Sequence, residues 1–284
     1  MFITYGNETE FMQKRALEIS CYVAGAGAFG VFFRWLQDMI AFNELGLVDR
    51  SAFNVLVPLF VLAMAAVYLR FLSQDEKKRL YLPEELSAAL GNDYRLYAVL
   101  CWLAAAIVVA GALALLAKSE TDKYVKFLRV LSAMGALSGL STALLMDQAA
   151  RGQERPAPLC ILSLPPILFF AAWLIYTYRA NSINSVLWAY VPEMVTVIAA
   201  MFAFARIAGF AYGAPNGKRA RFDAMLGASL CIMSLADERH TGMQLMLLGT
   251  ALQLMLYNWA MICNLRQGKP APAAKPEDGF DRLG

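Results

Sequence analysis

The residue in this chain best placed to do chemistry is a carboxylate inside an apolar stretch. Glu193 stands in SVLWAYVPEMVTVIAAMFAFARIAGFAYG, residues 185–213, directly after Pro192. A run of this length can cross a bilayer, which takes about 20 apolar residues. An ionisable group within such a span is expensive to bury and marks a site. At helical spacing Glu193 shares a face with Thr196, Ala200, Ala203 and Ile207. Two roles are open to it: a protonatable or cation-binding carboxylate in an internal cavity, or a buried carboxylate satisfied by an arginine or a backbone group. Arg34 is the candidate arginine. It precedes Asp38 by four residues, so the two share a helix face. With Val23, Gly27, Gly30 and Ala41 they make a stripe of small residues carrying a charge pair. That stripe either faces other helices or lets Arg34 snorkel to the interface. Arg206 lies near the inner end of its span and is expected to snorkel.

The elements that must position these groups contain irregularities of their own. Pro165-Pro166 removes two consecutive backbone donors and is expected to break or kink its helix. Broken membrane helices are tolerated where they line a cavity or are buried in protein. Pro192 frees a carbonyl one turn back, next to Glu193. Gly135 and Gly139 are spaced for close helix packing, within the chain or in a dimer, with Ser132, Ser138 and Thr142 beside them. Gly25, Gly27 and Gly30 spell GxGxxG, but inside one apolar helix. A dinucleotide fingerprint needs a strand before it, so this reads as packing.

Composition excludes much else. Of 284 residues, 59% are hydrophobic and 17% charged, well to the apolar side of a soluble domain. The net charge of +3 is small and sits in loops, which gives no footprint for nucleic acid. The single histidine, His240, rules out a His-rich metal centre or bis-His haem, and no cofactor or metal site is expected. Cys21, Cys101, Cys160, Cys231 and Cys263 fall in different apolar segments without a CxxC and read as small buried hydrophobes. Only Ile19 to Val23 precedes Ala24-Gly25-Ala26 as an apolar run, too short for a cleavable leader.

The fold expected is all-α: a polytopic transmembrane bundle of about eight spans, near 17–42, 53–73, 96–117, 127–147, 158–178, 186–212, 222–237 and 241–263. The seventh is short and has Asp223 and Asp237 at its ends. A short helix at 83–90 should lie along the inner membrane surface, with Trp173, Tyr176, Tyr178, Trp188 and Tyr190 at the outer interface. With the N-terminus inside, fifteen basic residues fall in inside segments and seven outside, which orients the chain N-in/C-in. The loop from Lys118 to Arg129 runs against the trend. VPLFVLAMAA (57–66) and VPEMVTVIAA (191–200) hint at a weak parallel 4+4 repeat. Residues 1–265 form one helical domain, and 266–284 read as a disordered cytoplasmic tail.

Function follows only coarsely. The first reading is a small-solute or ion transporter or binding component, using Glu193, Arg34, Asp38 and Thr196 in a cavity between the first, fifth and sixth spans. The alternative is a non-catalytic scaffold, sensor or assembly subunit acting through a homo-oligomer or another membrane protein. An enzyme is disfavoured. The bilayer is the one certain partner, and a bacterial plasma membrane suits the orientation.

Overall fold

The computed structural model describes residues 3–41, 55–92, 95–118, 124–152, 156–182, 187–237 and 239–268. Among these residues the chain is all-α apart from one two-residue strand pair. Its helices are α1 (Ile3–Ala41), α2 (Leu56–Lys77), α3 (Leu86–Leu90), α4 (Arg95–Lys118), α5 (Val125–Ala150), α6 (Pro156–Asn181), α7 (Leu187–Ala211), α8 (Gly217–Met233) and α9 (Thr241–Cys263). A 3-10 turn, Ser234–Ala236, follows α8. Strands β1 (Leu80–Tyr81) and β2 (Arg266–Gln267) pair antiparallel. Residues 266 and 267 are therefore ordered, while 269–284, the rest of the expected tail, lie outside the described residues.

Among the described residues seven helices, all but α3 and α8, are long and apolar enough to cross a membrane. They also leave large apolar side chains bare, among them Phe29, Leu62, Leu103, Ile161, Leu168 and Phe202. A soluble monomer rarely exposes apolar surface so widely, whereas lipid tails cover it at no loss. The chain thus has the build of a multi-pass integral membrane protein.

Six helices close a ring in the order α4, α5, α6, α7, α8, α9 and back to α4. Its interior is filled by side chains. On α6, Phe169 meets Phe170 and Trp173 edge-on while Phe170 stacks on Trp173; Phe170 also stacks on Phe204 of α7, and Phe204 meets Tyr257 of α9 edge-on. α1 lies outside this ring against α8 and α9, and α2 lies against α1 and α8.

The buried face of α1 is Ala16, Ile19, Val23, Gly27, Gly30, Arg34 and Gln37, an unbroken series of three- and four-residue steps that keeps one stripe toward the ring. Gly27 and Gly30 set the approach. A Cβ at Gly27 would stand 2.7 Å from Ile232 Cβ, and one at Gly30 would stand 2.8 Å from Met233 Cγ. On α5, Gly139 abuts Val108 and the Ala105 carbonyl of α4, while Gly135 meets Met246 and Phe169. These glycines therefore seat helices of the same chain.

Three expectations are corrected here. α6 runs unbroken from Pro156 to Asn181 with Pro165 and Pro166 inside it. Two missing donors leave most of a 26-residue ladder intact, and the buried Phe169, Phe170 and Trp173 hold the helix just beyond them. The short surface helix is reduced to Leu86–Leu90, and its apolar side (Leu86, Ala89, Leu90) packs on α5 and α9 rather than on lipid; Asn264 Nδ2 donates to the carbonyls of Ala89 and Gly91. Trp173 is fully buried, not an interface anchor.

The expected seventh span, 222–237, is found as α8 and its 3-10 turn, and α8 is not among the seven helices long and apolar enough to cross a membrane. It has 17 residues, about 25 Å of helix, and the 3-10 turn adds about 6 Å, so together they match the ~30 Å hydrocarbon thickness. α1, α2, α7 and α9 all pack on it. Ala220, Ala224, Gly227, Ala228 and Ser229 give it a slim buried body, which is what close approach by neighbours requires.

Candidate functional site: ion-pair networks at two ends of the bundle

Glu193 sits two turns into α7, where α6 ends alongside. Trp173 Nε1 donates to its Oε1 at 2.7 Å, and Thr177 Oγ1 donates to the same oxygen at 3.0 Å. Its Oε2 faces Arg239 Nε at 3.3 Å. Arg239 in turn gives Nη2 to Asp237 Oδ2 at 2.5 Å and Nη1 to the Ser234 carbonyl at 3.2 Å. Asp237 Oδ1 accepts from Arg34 Nε at 2.5 Å, and Arg34 Nη1 donates to Gln37 Oε1 at 2.6 Å. The result is a chain of alternating charge, Glu193–Arg239–Asp237–Arg34, whose side chains are all at most 13% exposed.

This geometry revises the expected site. Arg34 does not reach Glu193, because α8 and its 3-10 turn stand between α1 and α7; Arg239 and Asp237 bridge the gap. Asp38 lies 3.7 Å from Arg34 with a side chain 42% exposed, and Gln37 takes the inward position beside Arg34. Thr196 points elsewhere, donating to the Pro192 carbonyl at 2.9 Å and lying 2.8 Å from Ser234 Oγ. Arg206 pairs with Asp223 at 3.5 Å while remaining 40% exposed. Asp237 and Arg239 were missed because DERH reads as an ordinary polar loop. The signal available was the alternation of an acid and a base two residues apart beside a short, charge-ended span.

A second network occupies the opposite end. Asp75 of α2 takes Arg15 of α1 on Oδ1 and lies 2.8 Å from Arg221 Nη1 of α8 on Oδ2. Next to it, Lys218 Nζ donates to Glu76 at 2.6 Å. Arg15 and Arg34 are 19 residues apart on one continuous helix, about 28 Å. The two networks are thus separated by roughly one hydrocarbon thickness. Glu193 therefore belongs to the end of the bundle rather than to the middle of the bilayer. Halfway along, Ser229 Oγ donates to the Val23 carbonyl at 3.1 Å and pairs with Tyr68 Oη at 2.5 Å, joining α1, α2 and α8.

Chemically, the Glu193 network is neutral and internally committed. Both carboxylates are engaged by arginines, so no base stands free to accept a substrate proton. What the arrangement can do is hold elements together through contacts that water or a competing ion could replace. Trp173→Phe isolates one such contact, since it keeps the stacked ring and removes only the N–H. It should lower stability by about 1.5–3 kcal/mol, the range for a hydrogen bond to a charged group. Thermal unfolding of the purified protein in detergent reads this directly, and an unchanged Tm would mean the indole N–H is not committed to Glu193.

The fold and these charge networks define a class, the multi-pass helical membrane protein. No protein-family model, no curated protein and no solved structure matches the chain.

Proposed function

We propose that the chain is a membrane transport or solute-binding component in which a two-helix unit, α1–α2, is latched at both ends to the six-helix ring. One observation carries this reading. At each end a single aspartate is clamped between two arginines, and each clamp crosses from the α1–α2 unit to the ring. Arg34 of α1 meets Asp237 and Arg239 at one end, and Arg15 and Asp75 meet Arg221 at the other. Alternating access needs two closures a membrane thickness apart on elements able to rock against each other. The filled aromatic interior of the ring favours motion at its boundary with α1–α2. Glu193 extends the first clamp into α7, and a proton, cation or solute acts there by displacing Arg239 from its Oε2. On the basic-residue distribution the orientation is N-in/C-in, as in a bacterial plasma membrane, with the Asp75 clamp inside.

The scaffold or assembly reading is favoured by one fact, that Glu193 is already fully paired. Coupling between the clamps separates the two readings. Cys231 is completely buried on α8, six residues before Asp237. In a chain retaining only this cysteine, a water-soluble thiol reagent applied from outside reports opening of the outer clamp. If the clamps alternate, Asp75→Asn favours the inward-open state and slows Cys231 labelling several-fold. General loosening of the fold would speed labelling instead. An unchanged or faster rate would sink the transport reading.

A further inference from the structure

The inner clamp does not balance. Asp75 carries one negative charge between two guanidinium groups, and Arg221, at 3% exposed, is among the most buried charged residues described. Among the described residues its Nε and Nη2 have no hydrogen-bond partner, nor has Nη1 of Arg15. The 2.8 Å approach of Arg221 Nη1 to Asp75 brings the charges together without the alignment of a hydrogen bond. Buried donors of a permanently charged group left without acceptors are costly, and an anion supplies the acceptors.

There is room for one. A cleft of about 800 Å³ opens beside this clamp, within the size range of small-molecule sites. Arg221, Lys218, Arg79, Asp75 and Glu76 line it together with Tyr81 and four leucines. Gly217 also lines it, at the start of α8, where the first backbone N–H groups favour negative charge. Arg79 has the one left-handed backbone among the non-glycine residues described, φ 54°. Strain of that kind gathers where a ligand is held. Counting Arg15 behind Asp75, four cations face two carboxylates, an excess of two positive charges.

We infer that this cleft binds a phosphate monoester, whose dianion at neutral pH matches that excess and whose oxygens suit the forked N–H groups of arginine. The apolar wall of Tyr81, Leu72, Leu80, Leu82 and Leu265 receives the organic part of the ligand. That part is either the body of a soluble phosphate or the glyceryl and acyl portion of a lipid with a phosphomonoester head group. The site stands on its own observations and holds whether or not the chain transports anything.

The test is thermal unfolding of the full chain with three probes. Inorganic phosphate and glycerol 3-phosphate are titrated in detergent, and lipid nanodiscs are compared with and without phosphatidate. The expected result is a saturable rise in Tm of about 5 °C or more that chloride at equal ionic strength does not reproduce. It should fall by at least half in Arg79→Ala with Lys218→Ala, both exposed enough to leave the fold intact, and vanish in Arg221→Gln. A rise with the soluble probes assigns a soluble ligand, and a rise with phosphatidate alone assigns the lipid head group. No rise with any probe, or an equal rise in the Arg79→Ala, Lys218→Ala chain, overturns the inference.

Discussion

Asp237→Asn should destabilise the protein by about 3–5 kcal/mol, the loss typical of removing one partner from a buried ion pair, or roughly a 10 °C fall in Tm. Among the described residues Asp237 alone joins Arg34 to Arg239, with both oxygens 2.5 Å from a guanidinium nitrogen. An asparagine turns one of those oxygens into a donor aimed at a cation and leaves two arginines, each less than a tenth exposed, short of a counter-charge. Glu193→Gln should cost less, about 1–2 kcal/mol. Its Oε1 can go on accepting from Trp173 and Thr177 as an amide oxygen, and only the longer 3.3 Å contact with Arg239 is lost. Removing Arg34 and Asp237 together should cost less than the sum of the single changes, because each single change strands a charge. Thermal unfolding of the four chains gives the coupling. Equal losses for Asp237→Asn and Glu193→Gln would show that the network does not hinge on Asp237.

Gly242→Ala should be nearly as damaging, at about 3 kcal/mol, the upper end for overpacking a close contact. A Cβ there would lie 2.5 Å from the Gly111 carbonyl oxygen and 2.5 Å from the Leu115 nitrogen. Both are backbone atoms of α4, so no side chain can rotate aside, and α4 and α9 must separate. Gly249 repeats the contact further along, 2.9 Å from the Val108 nitrogen and 3.0 Å from the Ala104 carbonyl. Gly25→Ala is the matched control. Nothing lies within 4 Å of its Cβ position, so alanine should be neutral or raise stability by up to about 1 kcal/mol, the helix-propensity difference. A Gly242→Ala protein as stable as the Gly25→Ala protein would mean that α4 and α9 are not in backbone contact.

Much of the helical layout was legible because lipid-facing helices announce themselves by apolar length. The last helix was expected at 241–263 and is found at Thr241–Cys263. The inward stripe of α1 was legible too, since Gly27, Gly30 and Arg34 recur at helical spacing whatever they face. What could not be read was who meets whom. Glu193 and Arg34 stood out as charges needing partners, but their charged partners come from a loop, where only the acid–base alternation beside a short span hinted at Asp237 and Arg239. α8 was the least legible of the expected spans for a related reason. A helix surrounded by protein need not be apolar, so its polar residues lowered the very signal by which spans are recognised. The proline pair misled only as to a break, since a missing donor predicts one only where packing does not hold the helix on either side.

The wrapped position of α8 bears on how the chain is built. Lys218, Arg219, Arg221 and Asp223 fall within its first seven residues, and such groups carry a heavy penalty for entering lipid alone. Released from the ribosome by itself, this segment has no reason to leave water. It gains one when α1, α2 and α7 already stand in the bilayer with Asp75 waiting for Arg221, and when α9 follows to close the ring. The order of synthesis supplies those conditions: the receiving wall is made first, the reluctant helix next, and the apolar helix that draws it across comes last. We therefore expect biogenesis of this protein to be cooperative at its centre, with α8 entering the bilayer through its neighbours rather than by its own hydrophobicity.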